Sequence, residues 1–173
     1  MRQLILGGAR SGKSRLAQER ATAMNKPVVY IATADAGDTE MVQRIALHKR
    51  NRPAEWEVRE VPFQLPATLA DLSGSDKTVL VDCLTLWLTN LLMKDVAVMQ
   101  QGMSDLVAAV TAFKGDLILV SDEVGWGIVP MGGLGRQFQD NTGRLHQDLA
   151  QIVERVTLSV AGIPLDVKTD EVG

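Results

Sequence analysis

The chain has 173 residues, a formal net charge of −3, 46% apolar residues and 23% charged residues. That length suits one domain with a sizeable core, and the charge balance gives no basic tract for a nucleic acid to follow. The single cysteine, Cys83, rules out an internal disulfide, and one cysteine with two histidines cannot assemble a zinc cluster.

In chain order, Met1 to Leu6 is too short for the apolar part of a signal peptide. No stretch approaches the roughly 20 apolar residues of a membrane span, so a cytoplasmic protein with no transmembrane segment is expected. Leu4–Leu6 reads as a buried strand that ends at Gly7, and Lys13–Met24 as a helix. Pro27 introduces a second buried strand, Val28–Ala32. Thr39–Arg50 reads as a helix stopped by Pro53.

Trp56–Val61 alternates like a strand with one wet face, and Leu65–Leu72 suits a short helix. Val79–Asp82 is a buried strand ending in a carboxylate. Leu84–Met93 is a helix apolar nearly all round, which needs cover from the core or from a neighbouring subunit. Met103–Phe113 reads as a further helix. Leu117–Ser121 is another buried strand, followed by Asp122 and Glu123. The glycine-rich stretch from Gly125 to Gly135 reads as a mobile loop. A long helix, Phe138–Val153, and two closing strands, Thr157–Val160 and Leu165–Val167, complete the chain. Apolar strands alternating with helices predict an α/β fold, a mostly parallel sheet covered by helices, in one domain spanning residues 1–173.

The strongest chemical signal is Gly7-Gly8-Ala9-Arg10-Ser11-Gly12-Lys13-Ser14. It matches the phosphate-binding loop in full: a glycine, four residues, a glycine, a lysine and a hydroxyl residue. Glycines let the backbone curl around phosphates, amide N–H groups point inward, and the following helix offers its positive end. Lys13 is then expected to reach the β- and γ-phosphates, with Ser14 as a ligand of Mg²⁺. The apolar strand before and the helix after supply the required context.

Asp82 and Glu123 stand at the ends of buried strands, the edge of an open α/β sheet where ligands bind. Each is a candidate for metal or substrate contact. The alternative is that one of them caps a helix, as Asp82 could for the segment from Leu84. His48 lies among Arg44, Lys49, Arg50 and Arg52, and a neutral imidazole is a good nucleophile for phosphorus. The pattern alone favours the other reading, packing of Met41, Ile45 and His48 on one helix face. His146 reads as a structural or surface residue, and Cys83 as a small buried one.

Together with the loop, several separated motifs resemble the bifunctional adenosylcobinamide kinase/adenosylcobinamide-phosphate guanylyltransferases of cobalamin synthesis. These are Tyr30-Ile31-Ala32-Thr33-Ala34, Arg44-Ile45 with His48-Lys49, Arg52-Pro53 with Trp56 and Glu60, and Val81-Asp82-Cys83-Leu84-Thr85. Thr89-Asn90-Leu91-Leu92, Glu123-Val124-Gly125 with Gly127, Val129 and Pro130, and Arg136 with Phe138, Asp140, Gly143, Arg144 and Gln147 continue the series.

The resemblance implies a P-loop NTPase fold of the recombinase-like kind and homotrimers. It implies ATP and GTP as substrates, and adenosylcobinamide and its phosphate as the molecules acted on. His48 stands where the family forms a guanylylated histidine. Nucleotide binding is implied for the loop, for Ala32, Thr33 and Ala34, for Lys49, Arg50, Asn51 and Arg52, and for Glu60 and Asp82. Asp122 and His146 stand where the family usually has asparagine.

Two other readings use the same loop. One is a small-molecule kinase that needs no histidine. The other is a P-loop ATPase that drives an assembly or handles nucleic acid, against which the net charge stands.

Overall fold

The computed structural model describes residues 1–35 and 53–169. The helix expected over Thr39–Arg50, with His48, and the segment Lys49, Arg50, Asn51 and Arg52 lie outside the described residues.

The strands are β1 (Arg2–Gly7), β2 (Val28–Ala32), β3 (Glu57–Glu60), β4 (Thr78–Asp82), β5 (Asp116–Asp122), β6 (Arg155–Val160) and β7 (Ile163–Lys168). Among the described residues the helices are α1 (Lys13–Ala23), α2 (Leu65–Leu72), α3 (Leu84–Leu92), α4 (Val96–Ala112) and α5 (Gly133–Ile152). The strands form one sheet in the order β3-β2-β4-β5-β1-β6-β7. Neighbours are parallel except β6 and β7, which pair antiparallel. The α/β fold with a mostly parallel sheet is therefore as expected.

Near-continuous apolar strands reflect burial on both faces. Leu4, Val29, Ile31, Val79, Val81, Leu117 and Leu119 belong to a core shared with α2, α3, α4 and α5. The intervening Ile5, Val28, Tyr30, Leu80, Ile118 and Val120 pack with Ala17 and Ala21 of α1. Successive strand residues thus serve opposite layers, as the period of two requires. Trp87, on α3, is fully buried and donates from Nε1 to the Phe63 carbonyl at 2.9 Å. The apolar girth of α3 is covered within the chain, by the core around Leu84, Trp87, Leu88, Leu91 and Leu92. That helix consequently gives no argument for a neighbouring subunit.

Three local expectations are corrected. β3 does not have one wet face: Glu57, Val58 and Glu60 are all exposed, and only the flanking Trp56 and Val61 are buried. The cause is position, since β3 is the sheet's edge. The helix expected from Met103 begins instead at Val96, where the Asp95 side chain caps it by accepting from the Ala97 amide at 2.7 Å. The glycine-rich loop ends at Gly132, and α5 starts at Gly133 despite the low helix propensity of its glycines. The Arg136 guanidinium holds that turn by donating to the Pro130 and Met131 carbonyls.

Parallel pairing brings the carboxyl ends of five strands to one edge. Glu60, Ala32 and Asp82 stand in register on β3, β2 and β4, while Gly7 and Asp122 are paired on β1 and β5. Four strand spacings separate β3 from β1, about 19 Å.

Candidate active site

The phosphate loop is built by two left-handed residues and a brace. Arg10 has φ 57° and Gly12 φ 90°, which turns the backbone back on itself before α1 begins. A side chain at Gly12 would lie 3.0 Å from the Gly162 Cα, and one at Gly7 would lie 2.3 Å from Ser11 Oγ. Both glycines are therefore needed for close approach as well as for curvature. The Ser11 carbonyl accepts from the Gly162 amide and from Ser159 Oγ, each at 2.8 Å, so the β6–β7 turn clamps the loop from outside. Ser11 Oγ is buried and has no hydrogen-bond partner among the described residues.

Lys13 reaches across the mouth of this loop. Its ammonium pairs with the Asp122 carboxylate and lies 3.3 Å from the Gly8 carbonyl. The neighbouring Glu123 amide donates to the Gly7 carbonyl at 3.0 Å, fastening the end of β5 to the start of the loop. The sequence shows Asp122 only as an acid following a buried strand; its pairing with Lys13 emerges from the fold. The signal was available: a strand ending in a carboxylate beside the lysine-bearing loop. A triphosphate must draw the Lys13 ammonium away from Asp122. Asp122→Asn is therefore expected to tighten ATP binding by about 5-fold, by removing both the competing carboxylate and its repulsion of the phosphates. An equilibrium titration checks this; unchanged or weaker binding would contradict it.

Asp82 does not cap α3. Its Oδ2 accepts from the Tyr30 hydroxyl at 2.9 Å, and the N-cap of α3 is Cys83, with no side-chain bond. The Tyr30 ring stacks on Trp56, with centroids 6.4 Å apart. A line of contacts thus runs from the β3 edge to the carboxylate at the end of β4. Thr33 is fully buried, and its hydroxyl both donates to the Cys83 carbonyl at 2.6 Å and accepts from the Cys83 amide at 2.9 Å. With that hydroxyl engaged, Ala32, Thr33 and Ala34 present mainly backbone to a ligand. Asn90 Nδ2 donates to the Thr33 and Pro62 carbonyls, tying α3 to the ends of β2 and β3.

Glu123 turns back on its own segment. One carboxylate oxygen accepts from the Gly125 amide at 2.7 Å, and the other lies 3.8 Å from His146 Nδ1. His146 is buried in α5 and joined through Nε2 to Ser121 Oγ at 2.7 Å. Ser121 Oγ is 3.2 Å from Thr85 Oγ1, which accepts from the Asp122 amide at 2.7 Å. Burial lowers the His146 pKa despite the attraction of Glu123 and Asp122, so the neutral imidazole belongs to the fold. The structural reading of His146 is thereby refined: it anchors α5 to the strand end that carries Asp122 and Glu123.

Cys83 is buried, and desolvation, with Asp82 and Asp122 nearby, pushes its thiol up to about 12. A thiol held protonated is a poor nucleophile. Iodoacetamide at pH 8 should leave the folded chain unmodified and alkylate it fully in urea, as read by intact mass. Rapid modification of the folded chain would contradict this placement.

A cavity of about 570 Å³ opens at the opposite edge of the sheet, lined in part by Met1, Arg2, Phe113 and Glu154. Arg2 pairs with Glu154 there. The chemistry belongs to the carboxyl edge. There the structure groups Gly7–Ser14, Asp122 and Glu123 at β1 and β5, with Asp82 on β4, the strand next to β5. Ala32 at the end of β2, Thr33 and Ala34 just past it, and the exposed Glu60 on β3 lie further across. His48 and Lys49–Arg52 lie outside the described residues.

For Mg²⁺, the donors at this edge are hard oxygens, those of Ser14, Asp82 and Glu123, which suit such an ion. Among the described residues no three His, Cys, Asp or Glu side chains are grouped to cage a metal. No helix among the described residues is long and apolar enough to cross a membrane.

Residues 3–167 match the family described as cobinamide kinase / cobinamide phosphate guanyltransferase, CobU. A Pseudomonas aeruginosa relative, the bifunctional adenosylcobalamin biosynthesis protein CobP, is 51% identical over 97% of this chain and 98% of its own length. The bifunctional adenosylcobalamin biosynthesis protein CobU of Salmonella typhimurium is 39% identical over 95% of this chain and 98% of its own. In fold, a solved structure from Pyrococcus horikoshii aligns with a TM-score of 0.58 at 8% identity, over 99% of this chain and 87% of that one. The chain belongs to the cobinamide kinase/cobinamide phosphate guanyltransferase family.

Proposed function

We propose that this chain phosphorylates adenosylcobinamide with ATP or GTP and then transfers GMP from GTP onto the new phosphate, with His48 as the residue that carries GMP. Family membership over nearly the whole chain supports the two activities. The observation that carries the reading is the complete phosphate loop with its Lys13 positioned at the mouth.

In the kinase step, the substrate hydroxyl oxygen bonds to the γ-phosphorus, the bond from γ-phosphorus to the β-phosphate oxygen breaks, and the hydroxyl proton passes to water. Lys13 and the loop amides hold the phosphate oxygens as charge shifts between them. Mg²⁺, when bound, neutralises the phosphates, and Ser14, Asp82 and Glu123 are the residues proposed to hold it. In guanylyl transfer, a His48 ring nitrogen bonds to the α-phosphorus and pyrophosphate leaves. A phosphate oxygen of the substrate then displaces the imidazole, giving adenosylcobinamide-GDP. Arg44, Lys49, Arg50 and Arg52 supply cations near that nitrogen in the sequence.

The spread of candidate residues over about 19 Å suits one nucleotide laid along the sheet edge. Its triphosphate would occupy the loop, and its base would turn toward Ala32–Ala34, Glu60 and Asp82. The family resemblance supports a homotrimer working in the cytoplasm, with residues 1–173 acting as one nucleotide-binding domain. GTP labelled at the α-phosphate tests the reading. Label retained on the denatured protein supports guanylyl transfer, whereas turnover of γ-label alone would leave a plain kinase or ATPase.

A further inference from the structure

The segment that leaves the active site after Glu123 is unlike the rest of the surface. From Val124 to Leu134 it carries no charged residue, in a chain of which 23% is charged. Its large apolar side chains stand in solvent: Trp126 is 76% exposed, Ile128 96%, Val129 63% and Met131 97%. Such a concentration of exposed apolar side chains marks a binding surface. The segment is tied down at several points. Gly125 is bonded to Glu123, Gln139 donates to the Val124 carbonyl at 3.1 Å, and Arg136 holds the Pro130 and Met131 carbonyls.

Its position selects the occupant. The segment starts at Glu123, whose amide is bonded to Gly7 of the phosphate loop, so it is continuous with the site of phosphoryl transfer. The loop's cations and amides suit phosphates, whereas a neutral apolar surface suits neither a triphosphate nor any other polyanion. Cobinamide presents a broad macrocycle with apolar faces and a neutral amide-bearing rim, plus one arm that ends in the hydroxyl to be phosphorylated. With that hydroxyl at the γ-phosphate, the macrocycle is too large for the loop and must lie on protein surface beside it.

We propose that Trp126, Ile128, Val129 and Met131 form the platform for the corrinoid macrocycle, with Trp126 as its principal contact. The proposal rests on the kinase reading and adds where the acceptor sits. Exposed side chains contribute little to folding, so Trp126→Ala and Ile128→Asp leave a folded chain in which to test it.

Equilibrium dialysis against adenosylcobinamide, followed by the absorbance of the corrinoid itself, gives the readout, with ATP affinity and sedimentation mass measured on the same preparations. Each variant is expected to bind adenosylcobinamide about 10- to 30-fold more weakly, with ATP affinity and mass unchanged and the KM for adenosylcobinamide raised in step. Unchanged adenosylcobinamide affinity in both variants would overturn the platform. So would a fall in mass with affinity retained, since the patch would then be a contact between copies of the chain. Failure of the parent chain to bind adenosylcobinamide would instead overturn the kinase reading.

Discussion

Lys13→Ala should lower kinase kcat/KM by about a thousandfold and weaken ATP binding as well. Removing one preorganised charge from a transferring group typically costs a factor of about 10² to 10³ in turnover, and this residue also contributes to ground-state affinity. Lys13 is also the partner of Asp122 in the structure, so its removal leaves that carboxylate facing the phosphates alone. Repulsion then adds to the loss of attraction. Guanylyl transfer should fall too, because the same loop is proposed to hold the GTP triphosphate. Steady-state kinetics with ATP and with GTP measure both losses. Kinetics like those of the parent would remove Lys13 from the mechanism, and with it the phosphate loop as the site.

His48→Ala should separate the two activities. A nucleophile has no substitute, so guanylyl transfer should become undetectable, while kinase turnover stays within about 3-fold of the parent because the loop is untouched. The labelled adduct formed with α-labelled GTP should vanish with it. In the parent, that adduct should be lost in acid and survive in base, as expected for phosphorus bonded to an imidazole nitrogen. An adduct that persists in His48→Ala, or an acid-stable one mapping elsewhere, would point to a different nucleophile.

The fold was legible because its strongest signals are local. Leu4–Leu6, Val28–Ala32, Val79–Asp82 and Leu117–Ser121 are short apolar runs with breakers at their ends, and each is a central parallel strand. The phosphate loop was legible because its spacing is fixed by phosphate geometry. What escaped depends on contacts distant in sequence. β3 alternates in residue type as a half-buried strand would, but edge position exposes Val58. The glycines at 132, 133 and 135 read as loop, yet bonds from Arg136 back to Pro130 and Met131 start the helix among them. Asp95, a good capping residue type, marks the true start of α4 at Val96.

The site divides in the same way. Gly7–Ser14 follow from the chain alone, and Asp82 and Glu123 from their places at strand ends. The partners could not be read in advance, because each pairs residues far apart in the chain: Lys13 with Asp122, Tyr30 with Asp82, His146 with Ser121. His146 illustrates the limit. An imidazole in a helix is ambiguous until the fold shows it buried against Ser121 and facing Glu123.

The most direct test of the central claim is to supply adenosylcobinamide, ATP, GTP and Mg²⁺ together and identify the products by mass. Adenosylcobinamide should first gain one phosphate and then one GMP, with pyrophosphate released in the second step and no second product in a preparation lacking GTP and its His48 adduct. Adenosylcobinamide recovered unchanged, while the nucleotides are merely hydrolysed, would contradict the assignment of both activities.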